Sequence, residues 1–507
     1  MPVAEGKRIR VWLGDERLDI DSAQWLEFEH ALDLRRGSLQ RRLRLTTAGG
    51  HCVEIRAERI VPFGQSALLA IRFGIFSVDY SGPIALVSSL EGDRQAAEQG
   101  DDPRIGVAGG HGLVAVDTHA DVEDAWIAQR ALQRGFEVLC GQRHRCAEGG
   151  LVLERAHAER ARLEQRFVAE LRPGQQVTLE KFVAYAWDGD DASRHAGLAV
   201  ALTTAAASGF DALASQQAEA LEEFWRSAEV SVHGDVSAEQ ALRFNLFQLL
   251  QSAGRDGVAG TAAKGLTGEG YEGHCFWDTE VFVLPVMAFT APEVARAMLL
   301  FRHRTLDAAR VHAREMNHPL GALYPWRTID GGECSAHYPS GSAAYHINAA
   351  VAYAIGRYLD ASGDVEFLCE AGAEMLFETA RIWPQVGHFN PRKGDAFCIH
   401  EVTGPDEYTT LVNNNFYTNR MAQQHLSRAA AAWDLLARER PQARAALAQR
   451  LGVGEAEVGL WREAAQAMYL PYDEDFGVYA QGGEFLDKPR WPFSSPQGER
   501  RPLLLDF

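Results

Sequence analysis

The sequence predicts a multidomain β + α protein, in which an antiparallel β-sandwich is followed by a region built almost entirely of helices. Three observations predict this architecture. Apolar residues mostly alternate with period two from the start of the chain to about residue 205. From about residue 208 their spacing becomes that of helices. Long loops separate the later helices, and such loops on one side of a helical array are usually functional.

The first part of the chain alternates as antiparallel strands with one buried face do. Residues 43–47 alternate, Gly49-Gly50 turns the chain, and residues 53–57 alternate again, which predicts a hairpin. Many short strands separated by turn residues indicate an antiparallel sandwich. Further strands are expected at Ala67–Val78, Pro83–Leu90, Arg162–Leu171 and Val177–Trp187.

The second part is expected to begin with a helical linker. Phe210–Ala228 carries apolar residues at helical spacing, and Ser237 with Gln240 matches a capping box that opens the next helix. The predicted domains are 1–207 for the sandwich, 208–236 for the linker and 237–507 for the helical domain. Further helices are expected at Pro292–Ala313 after a Thr290 cap, Ala343–Leu359, Val365–Trp383 after an Asp364 cap, Phe416–Arg440 and Val458–Tyr469.

Composition restricts the classes of partner. The chain has 507 residues, 46% of them hydrophobic, and a formal net charge of −19. An acidic chain repels phosphate backbones and anionic lipids, so we expect no nucleic-acid and no membrane partner. The seven cysteines contain no C-x-x-C motif, which favours free thiols in a reducing compartment. No apolar leader and no membrane-length apolar run is present, which predicts a cytoplasmic protein, although a shortened N-terminus would hide a leader.

The most informative stretch is IHEVTGPDEYTTLVNNNFYTN at Ile399–Asn419. Gly404 and Pro405 interrupt any helix or strand, so the backbone turns there. Asp406 and Glu407 follow at once, and an aromatic neighbour raises the pKa of a carboxyl by desolvation, as a general acid requires. A helix is expected after the three asparagines, which are suitable caps. Taken alone, this turn is better explained by two acids that merely close it, and the surrounding motifs reverse that preference.

The loop KGLTGEGYEGHCFWDTE at Lys264–Glu280 ends in an aromatic plate next to a carboxylate. A sugar ring can lie on the indole of Trp277 while the carboxylate of Asp278 accepts hydrogen bonds from its hydroxyls. The glycines of the loop do not have the spacing of a phosphate-binding P-loop. For this loop alone, a core tryptophan followed by a helix-capping aspartate is the simpler interpretation.

A third group of candidates lies in the long loop before the next predicted helix. Trp326, Glu333 and Tyr338 supply aromatic rings and an acid that suit a polyol, and we treat them as candidate substrate-binding residues. His346 joins this group, but it begins an apolar helix, where a satisfied buried histidine is the alternative. The acids and histidines of this loop match no zinc spacing, so no metal is expected.

Three segments together resemble glycoside hydrolase family 65. They are LTGEGYEGHCFWDTE at Leu266–Glu280, AAYHINAAVAYAI at Ala343–Ile355 and VTGPDEYTTLVNNNFYTN at Val402–Asn419. This family contains inverting phosphorylases of α-glucosides such as maltose, trehalose, nigerose and kojibiose, with some hydrolases. The resemblance implies an N-terminal super-β-sandwich, a helical linker and an (α/α)6 barrel, of which this chain is expected to contain only part.

The same resemblance implies roles for the candidate residues. Glu407 would be the general acid that protonates the glycosidic oxygen, and Trp277 with Asp278 would hold the glucosyl unit in the −1 subsite. The Trp326–Tyr338 loop would line the +1 side. The sequence GGECSAHYPSGSAAYHIN at Gly331–Asn348 is more similar to kojibiose phosphorylases than to maltose phosphorylases.

The implied reaction needs one acid from the protein. An inverting hydrolase requires a second carboxylate that activates water, whereas phosphate is already an anion and attacks unaided. The expected reaction is phosphorolysis of an α-glucosidic disaccharide, with a kojibiose-type linkage first, to β-glucose 1-phosphate and a sugar. The partners would be the disaccharide and inorganic phosphate as co-substrate. No cofactor is expected, and a homodimer is compatible with this predicted reaction.

Two alternatives stay open at this stage. Compared with the family pattern, the chain starts inside the sandwich and stops before the phosphate-binding loops, which predicts a fragment. A hydrolase on the same scaffold is the first alternative, because the residues that separate water from phosphate lie past residue 507. A non-catalytic sugar-binding fragment is the second.

Overall fold

A computed structural model describes residues 3–93, 112–122, 124–132, 135–266, 270–335, 341–406 and 410–489. The chain divides into two compact units, Met1–Phe244 and Asn245–Phe507. The predicted domain boundaries place the end of the sandwich at 207 and the start of the helical domain at 237, so the division falls just inside the predicted helical domain.

Antiparallel strands build the first unit. Over its described residues they form a five-stranded sheet, in the order β11-β12-β7-β1-β2, and an eight-stranded sheet, in the order β3-β4-β5-β6-β13-β10-β9-β8. The strands are β1 (Ile9–Leu13), β2 (Glu16–Arg17), β3 (Gln24–Asp33), β4 (Ser38–Thr46), β5 (Cys52–Ile60), β6 (Leu68–Ser77), β7 (Gly82–Glu91), β8 (Leu113–Ala120), β9 (Ala125–Ala131), β10 (Glu137–Glu148), β11 (Val152–Glu159), β12 (Arg162–Leu171) and β13 (Gln176–Ala186).

A core between the two sheets holds the first unit together. Leu45, Val53 and Leu179 of the larger sheet belong to one buried cluster with Leu86 and Phe167 of the smaller sheet. The hairpin predicted from the alternation is the β4–β5 pair, whose register is antiparallel. Period-two patterning works here because successive side chains point to opposite faces of a strand, and one face is buried. The predicted antiparallel sandwich is therefore confirmed.

A long helix, α1 (Asp191–Ala228), follows the last strand of the sandwich. It begins earlier than the predicted linker at residue 208, and the Asp190 side chain caps it by accepting a hydrogen bond from the Ser193 amide at 2.8 Å. The alanine-rich run that was assigned to the sandwich is a good helix former. It packs Leu198 and Leu202 against the larger sheet. Gly209 kinks the helix with a φ of 78°.

The expectation that no apolar run is long enough to span a membrane was wrong. Within the described residues, α1 is the one helix that is long and apolar enough to cross a bilayer by length and composition. A core helix passes the same test, and α1 buries the stripe that contains Leu198, Leu202 and Phe210 in a hydrophobic cluster of the first unit. We treat it as part of that core.

The second helix, α2 (Val236–Ser252), is capped differently from the prediction. The Asp235 carboxylate accepts a hydrogen bond from the Ala238 amide at 2.9 Å, so the cap is Asp235 rather than Ser237. The capping-box interpretation was wrong because an aspartate two residues earlier is also a preferred cap, and the helix begins there.

Helices and loops make up the second unit, which confirms the predicted helical half. In its described part the helices are α3 (Leu284–Thr290), α4 (Pro292–Arg304), α5 (Leu306–Glu315), α6 (His346–Ser362), α7 (Val365–Phe367), α8 (Ala373–Ala380), α9 (Trp383–Val386), α10 (Phe416–Glu439), α11 (Pro441–Leu451) and α12 (Glu455–Gln466). Two small hairpins pair β14 (Gly387–Asn390) with β15 (Ala396–Ile399) and β16 (Tyr472–Asp473) with β17 (Val478–Tyr479).

The packing of the second unit is arranged around α6. This helix contacts α3, α4, α8 and α10, and its residues are buried on most sides. The helix predicted at Pro292–Ala313 is instead α4 and α5, separated at Thr305, whose hydroxyl donates to the Arg302 carbonyl at 3.1 Å. Thr290 does not cap α4, because its hydroxyl bonds back to the Val286 carbonyl. The Asp364 cap is confirmed by its bond from the Phe367 amide.

Candidate active site

The Gly-Pro turn that carries the predicted acid is closed by its own flanks. Glu407 lies outside the described residues, as does Tyr338 of the predicted +1 loop. On either side of the turn, Val402 and Val412 exchange backbone hydrogen bonds of 3.1 and 2.9 Å. A Cβ atom added at Gly404 would lie 2.5 Å from the side-chain nitrogen of Asn415, so only glycine fits there.

Three asparagines hold the returning side of this turn, each in a different way. The side-chain oxygen of Asn413 accepts from the Glu401 backbone amide at 3.2 Å. The side-chain oxygen of Asn414 accepts from the Ile399 backbone amide at 3.2 Å. Asn415 caps α10 by accepting from the Thr418 amide at 3.0 Å, which confirms the predicted cap. The side chains thus replace backbone partners that an irregular loop lacks.

The backbone of this turn is strained. Glu401, Leu411 and Asn414 have φ values of 56°, 56° and 51°, in the left-handed region that residues other than glycine rarely adopt. Such conformations persist only where the surrounding structure enforces them, and they cluster at functional sites. The strain therefore supports a functional role for the turn.

An aromatic cluster brings the three motif segments together. The ring of His346, at the start of α6, lies 5.0 Å from the half-buried indole of Trp277 in an edge-to-face contact. Tyr417, at the start of α10, lies 5.9 Å from the indole and 5.7 Å from the imidazole. His346 also lies close enough to the Gly404 backbone carbonyl for that group to raise the pKa of the imidazole. The indole and the acid turn therefore share one neighbour.

His346 is uncharged. Burial lowers its pKa to about 3, and the nearby Gly404 carbonyl opposes that shift only in part. Its Nδ1 atom has no partner among the described residues, and neither does the buried hydroxyl of Tyr417. Burial also raises the pKa of Tyr417 to about 12. The interpretation of His346 as a fully satisfied buried histidine is therefore wrong, because one ring nitrogen is left over beside the indole.

Asp278 presents its carboxylate to the solvent. It stands at the N-terminus of the π-helical turn Thr279–Val283, but its side chain makes no capping hydrogen bond to that turn. The helix-capping interpretation is therefore wrong. Desolvation raises the pKa of Asp278 above its usual value, and the nearby charge of Glu280 adds to that effect. The Asp278 backbone amide opposes this rise in pKa. A carboxylate that does not cap the helix and lies next to an indole is suited to accept hydrogen bonds from sugar hydroxyls.

The chain was compared with known proteins. Residues 243–507 match the family model described as "Glycosyl hydrolase family 65 central catalytic domain", and residues 2–224 match "Glycosyl hydrolase family 65, N-terminal domain".

The chain belongs to glycosyl hydrolase family 65.

Relatives within this family have measurable identity over the whole chain. The alpha,alpha-trehalose phosphorylase of Thermoanaerobacter brockii is 39% identical over 100% of this chain and 66% of its own length. The kojibiose phosphorylase of the same organism is 29% identical over 95% of this chain and 64% of its own length. The chain thus spans just under two thirds of the length of these curated relatives.

A solved structure from the human microbiome, named after kojibiose phosphorylase, shares the fold. Its TM-score is 0.84 at 23% sequence identity, over 98% of this chain and 64% of the other. At this identity the likeness bears on the fold alone.

A buried ion pair in this family 65 chain anchors the segment that carries Trp277 and Asp278. Arg302 of α4 donates two hydrogen bonds to the Glu280 carboxylate, at 2.7 and 2.9 Å, and both side chains are almost completely buried. The Arg302 carbonyl in turn accepts from the Tyr324 hydroxyl at 2.8 Å. Sequence reasoning missed this pair, because no local pattern relates positions 22 residues apart in a loop and a helix.

The predicted +1 loop is organised by Glu333. Its carboxylate accepts hydrogen bonds from the backbone amides of Trp326, Arg327 and Ser335, at 2.7, 3.2 and 2.8 Å. The indole of Trp326 meets Phe276 of the Trp277 loop edge to face, with centroids 5.1 Å apart. Glu333 therefore shapes this loop, and Trp326 connects it to the loop that carries the −1 candidates.

A cavity of about 820 Å³ lies in the first unit, beside strands of the eight-stranded sheet. Its charged side chains pair with one another, as when Glu180 accepts from Arg72 at 3.2 Å and from Arg145 at 2.9 Å. The described residues that line it include no aromatic ring on which a sugar could stack. Its chemistry does not favour it as the glucoside site over the Trp277 cluster.

Replacing Arg302 by leucine should lower the free energy of unfolding by about 3–5 kcal/mol, because Glu280 would be left buried and unpaired. Urea denaturation measures this change. Arg462→Leu is the matched control, since Arg462 pairs with Asp434 at 2.7 Å with both side chains exposed. The control should cost less than about 1 kcal/mol. Equal losses in both variants would contradict the anchoring role.

The neutral histidines should make the second unit sensitive to acid. The pKa of His346 is lowered to about 3 and that of His425 to about 4, in both cases chiefly by burial. Between pH 6.5 and these values only the unfolded chain binds the protons, so stability should fall as pH decreases, by roughly 1.4 kcal/mol per pH unit for each proton.

The variant His346→Phe tests this assignment. It should be less stable at pH 7 because it loses the polar contact with the Gly404 carbonyl, yet its stability should depend less on pH between 6.5 and 4. Denaturation at a series of pH values measures the slope, with His157→Gln on exposed strand β11 as the control. A slope that is the same in His346→Phe and in the unchanged protein would exclude a buried neutral imidazole.

Proposed function

We propose that the full-length protein is an inverting phosphorylase of an α-glucosidic disaccharide. The observation that carries the proposal is the shared contact of Trp277 and the acid turn with His346, in a chain of family 65. In this arrangement a stacking surface for a sugar and the turn that precedes Glu407 are neighbours of the same imidazole. Cleavage of a glycosidic bond needs a carboxylic acid beside the bound sugar, and this arrangement supports that role for Glu407.

Each residue has a defined task in the proposed reaction. The glucosyl ring lies on Trp277, and Asp278 accepts hydrogen bonds from its hydroxyls. Glu407 gives its proton to the glycosidic oxygen as the bond between that oxygen and C1 breaks. A phosphate oxygen forms the new bond to C1 from the opposite face, so the product is β-glucose 1-phosphate. The Glu407 carboxylate recovers the proton that the hydrogen phosphate has lost, directly or through water.

We propose trehalose as the first substrate to test and kojibiose as the second. Identity to a trehalose phosphorylase is 39%, against 29% to a kojibiose phosphorylase, which supports trehalose. The sequence of the segment Gly331–Asn348 supports kojibiose. This segment overlaps the predicted +1 loop, which would contact the released sugar. Seven free cysteines support a reducing, cytoplasmic location.

A substrate panel tests the activity. The full-length protein is mixed with trehalose, kojibiose, maltose or nigerose, with and without inorganic phosphate, and the release of glucose 1-phosphate is followed by NMR, which identifies the anomer. We expect phosphate-dependent release of the β-anomer from trehalose, or from kojibiose if the +1 loop decides the linkage. Release of free glucose at the same rate without phosphate would instead establish a hydrolase.

The variant Glu407→Gln tests the acid. It should lower kcat by about 10²–10⁴-fold, since a glutamine cannot donate the proton that the leaving oxygen needs, while disaccharide binding measured by calorimetry persists. Glu401→Gln, in the same loop, is the matched control and should retain most of the activity. An unchanged rate in Glu407→Gln would remove this residue from the mechanism.

A further inference from the structure

A downstream segment runs along the acid turn and touches both sides of it. Gln481 lies just after the β16–β17 hairpin, and its side-chain amide donates to the carboxylate of Asp406 at 2.7 Å. Asp406 immediately precedes Glu407 in the chain. A residue 75 positions away therefore holds the side chain next to the proposed acid.

The backbone of the same residue holds the other side of the turn. The Gln481 carbonyl accepts from the Phe416 amide at 3.0 Å and from the side chain of Asn415 at 3.1 Å, at the start of α10. Two residues later, the Gly483 amide donates to the Asn413 carbonyl at 2.9 Å. Gln481 thus bridges the residue before the acid and the helix cap that ends the turn.

Ring stacking fixes the approach of this segment. Tyr479 stacks on Phe416 with centroids 4.7 Å apart and planes at 28°, and it also meets Tyr472 across the small hairpin. Aromatic contacts therefore position the backbone that leads to Gln481, in addition to the polar contacts of Gln481 itself. The anchor belongs to a structured element of the second unit rather than to a loose loop.

We propose that Gln481 is a positioning residue for the general acid of the reaction, an inference that rests on the proposed function. Its side-chain amide contacts Asp406, so the role proposed for it is to act through this neighbour of the acid. An amide is a neutral donor, so it orients the Asp406 carboxylate without adding charge next to Glu407. A carboxylate at position 481 would place two negative charges together at this point and would favour the protonated form of the neighbouring acid.

Three variants of the full-length protein test the inference. Gln481→Met keeps the size of the side chain and removes the donor. Gln481→Glu replaces the donor by a negative charge. Gln423→Met is the matched control, because the Gln423 amide also donates a hydrogen bond, to the Ala465 carbonyl at 2.9 Å, and accepts one from Arg420, but on α10 and away from the turn.

Two readouts are expected to change in the Gln481 variants and not in the control. Gln481→Met should lower kcat by roughly tenfold with little change in KM, because a loosened acid is misplaced in the transition state. Its amides in residues 402–416 should exchange with deuterium faster. Gln481→Glu should shift the alkaline limb of the pH profile of kcat/KM to higher pH. A purely structural role would lower Tm and leave this limb in place.

The outcomes separate this inference from the proposed function. If the unchanged protein is an active phosphorylase but the Gln481 variants keep its pH profile and its exchange rates, the inference is overturned and the function stands. If the unchanged protein shows no phosphorolysis with any disaccharide, the proposed function fails. In that case amide deuterium exchange in residues 402–416 is the deciding measurement. Exchange rates in Gln481→Met that equal those in Gln423→Met would overturn the anchoring by Gln481.

Discussion

The contacts of the His346 ring, with the Gly404 carbonyl on one hand and the Trp277 indole on the other, are the interactions on which the site depends. They connect the stacking surface to the turn of the acid without bringing in a charge, because burial keeps the imidazole neutral. A cationic ring here would stabilise a carboxylate next to it and so weaken a general acid. The two unpartnered polar atoms of this cluster, on His346 and Tyr417, leave capacity for a ligand or a water molecule.

Around this contact, rigid elements hold irregular loops by specific polar bonds. The Arg302–Glu280 pair ties the Trp277 segment to α4, and Glu333 gathers three backbone amides of the neighbouring loop. Asparagine side chains do the same for the acid turn. Each device satisfies backbone groups or charges that would be costly to bury alone. The loops therefore have defined conformations although they lack regular secondary structure.

Much of the fold was predictable from local patterns. Period-two alternation around Leu45 and Val53 indicated the sandwich, and apolar spacing located most helices, since burial of one face leaves a periodic record in sequence. The start of α1 was missed because an alanine-rich run carries little apolar contrast. The break at Thr305 was missed because one hydroxyl competing for a backbone carbonyl leaves no periodic trace.

The candidate site was predictable only in part. Trp277, Asp278 and His346 stood in two of the three recognisable segments. The structure brings the third segment, through Gly404, next to the same imidazole. Glu280, Arg302 and Gln481 were not foreseen. Their partners are distant in sequence, so only the folded chain shows that they meet. Glu333 was foreseen as a ligand for sugar, whereas its carboxylate is engaged by backbone amides.

The position of Gln481 has a consequence for how the protein is made. The carboxylate of Asp406 meets its partner only after 75 further residues have been added to the chain. At about 5–20 residues per second, a ribosome needs roughly 4–15 s for that distance. During this interval the residue before the proposed acid lacks the hydrogen bond from Gln481. The turn can therefore reach the geometry described above only after the β16–β17 hairpin and Gln481 have been synthesised.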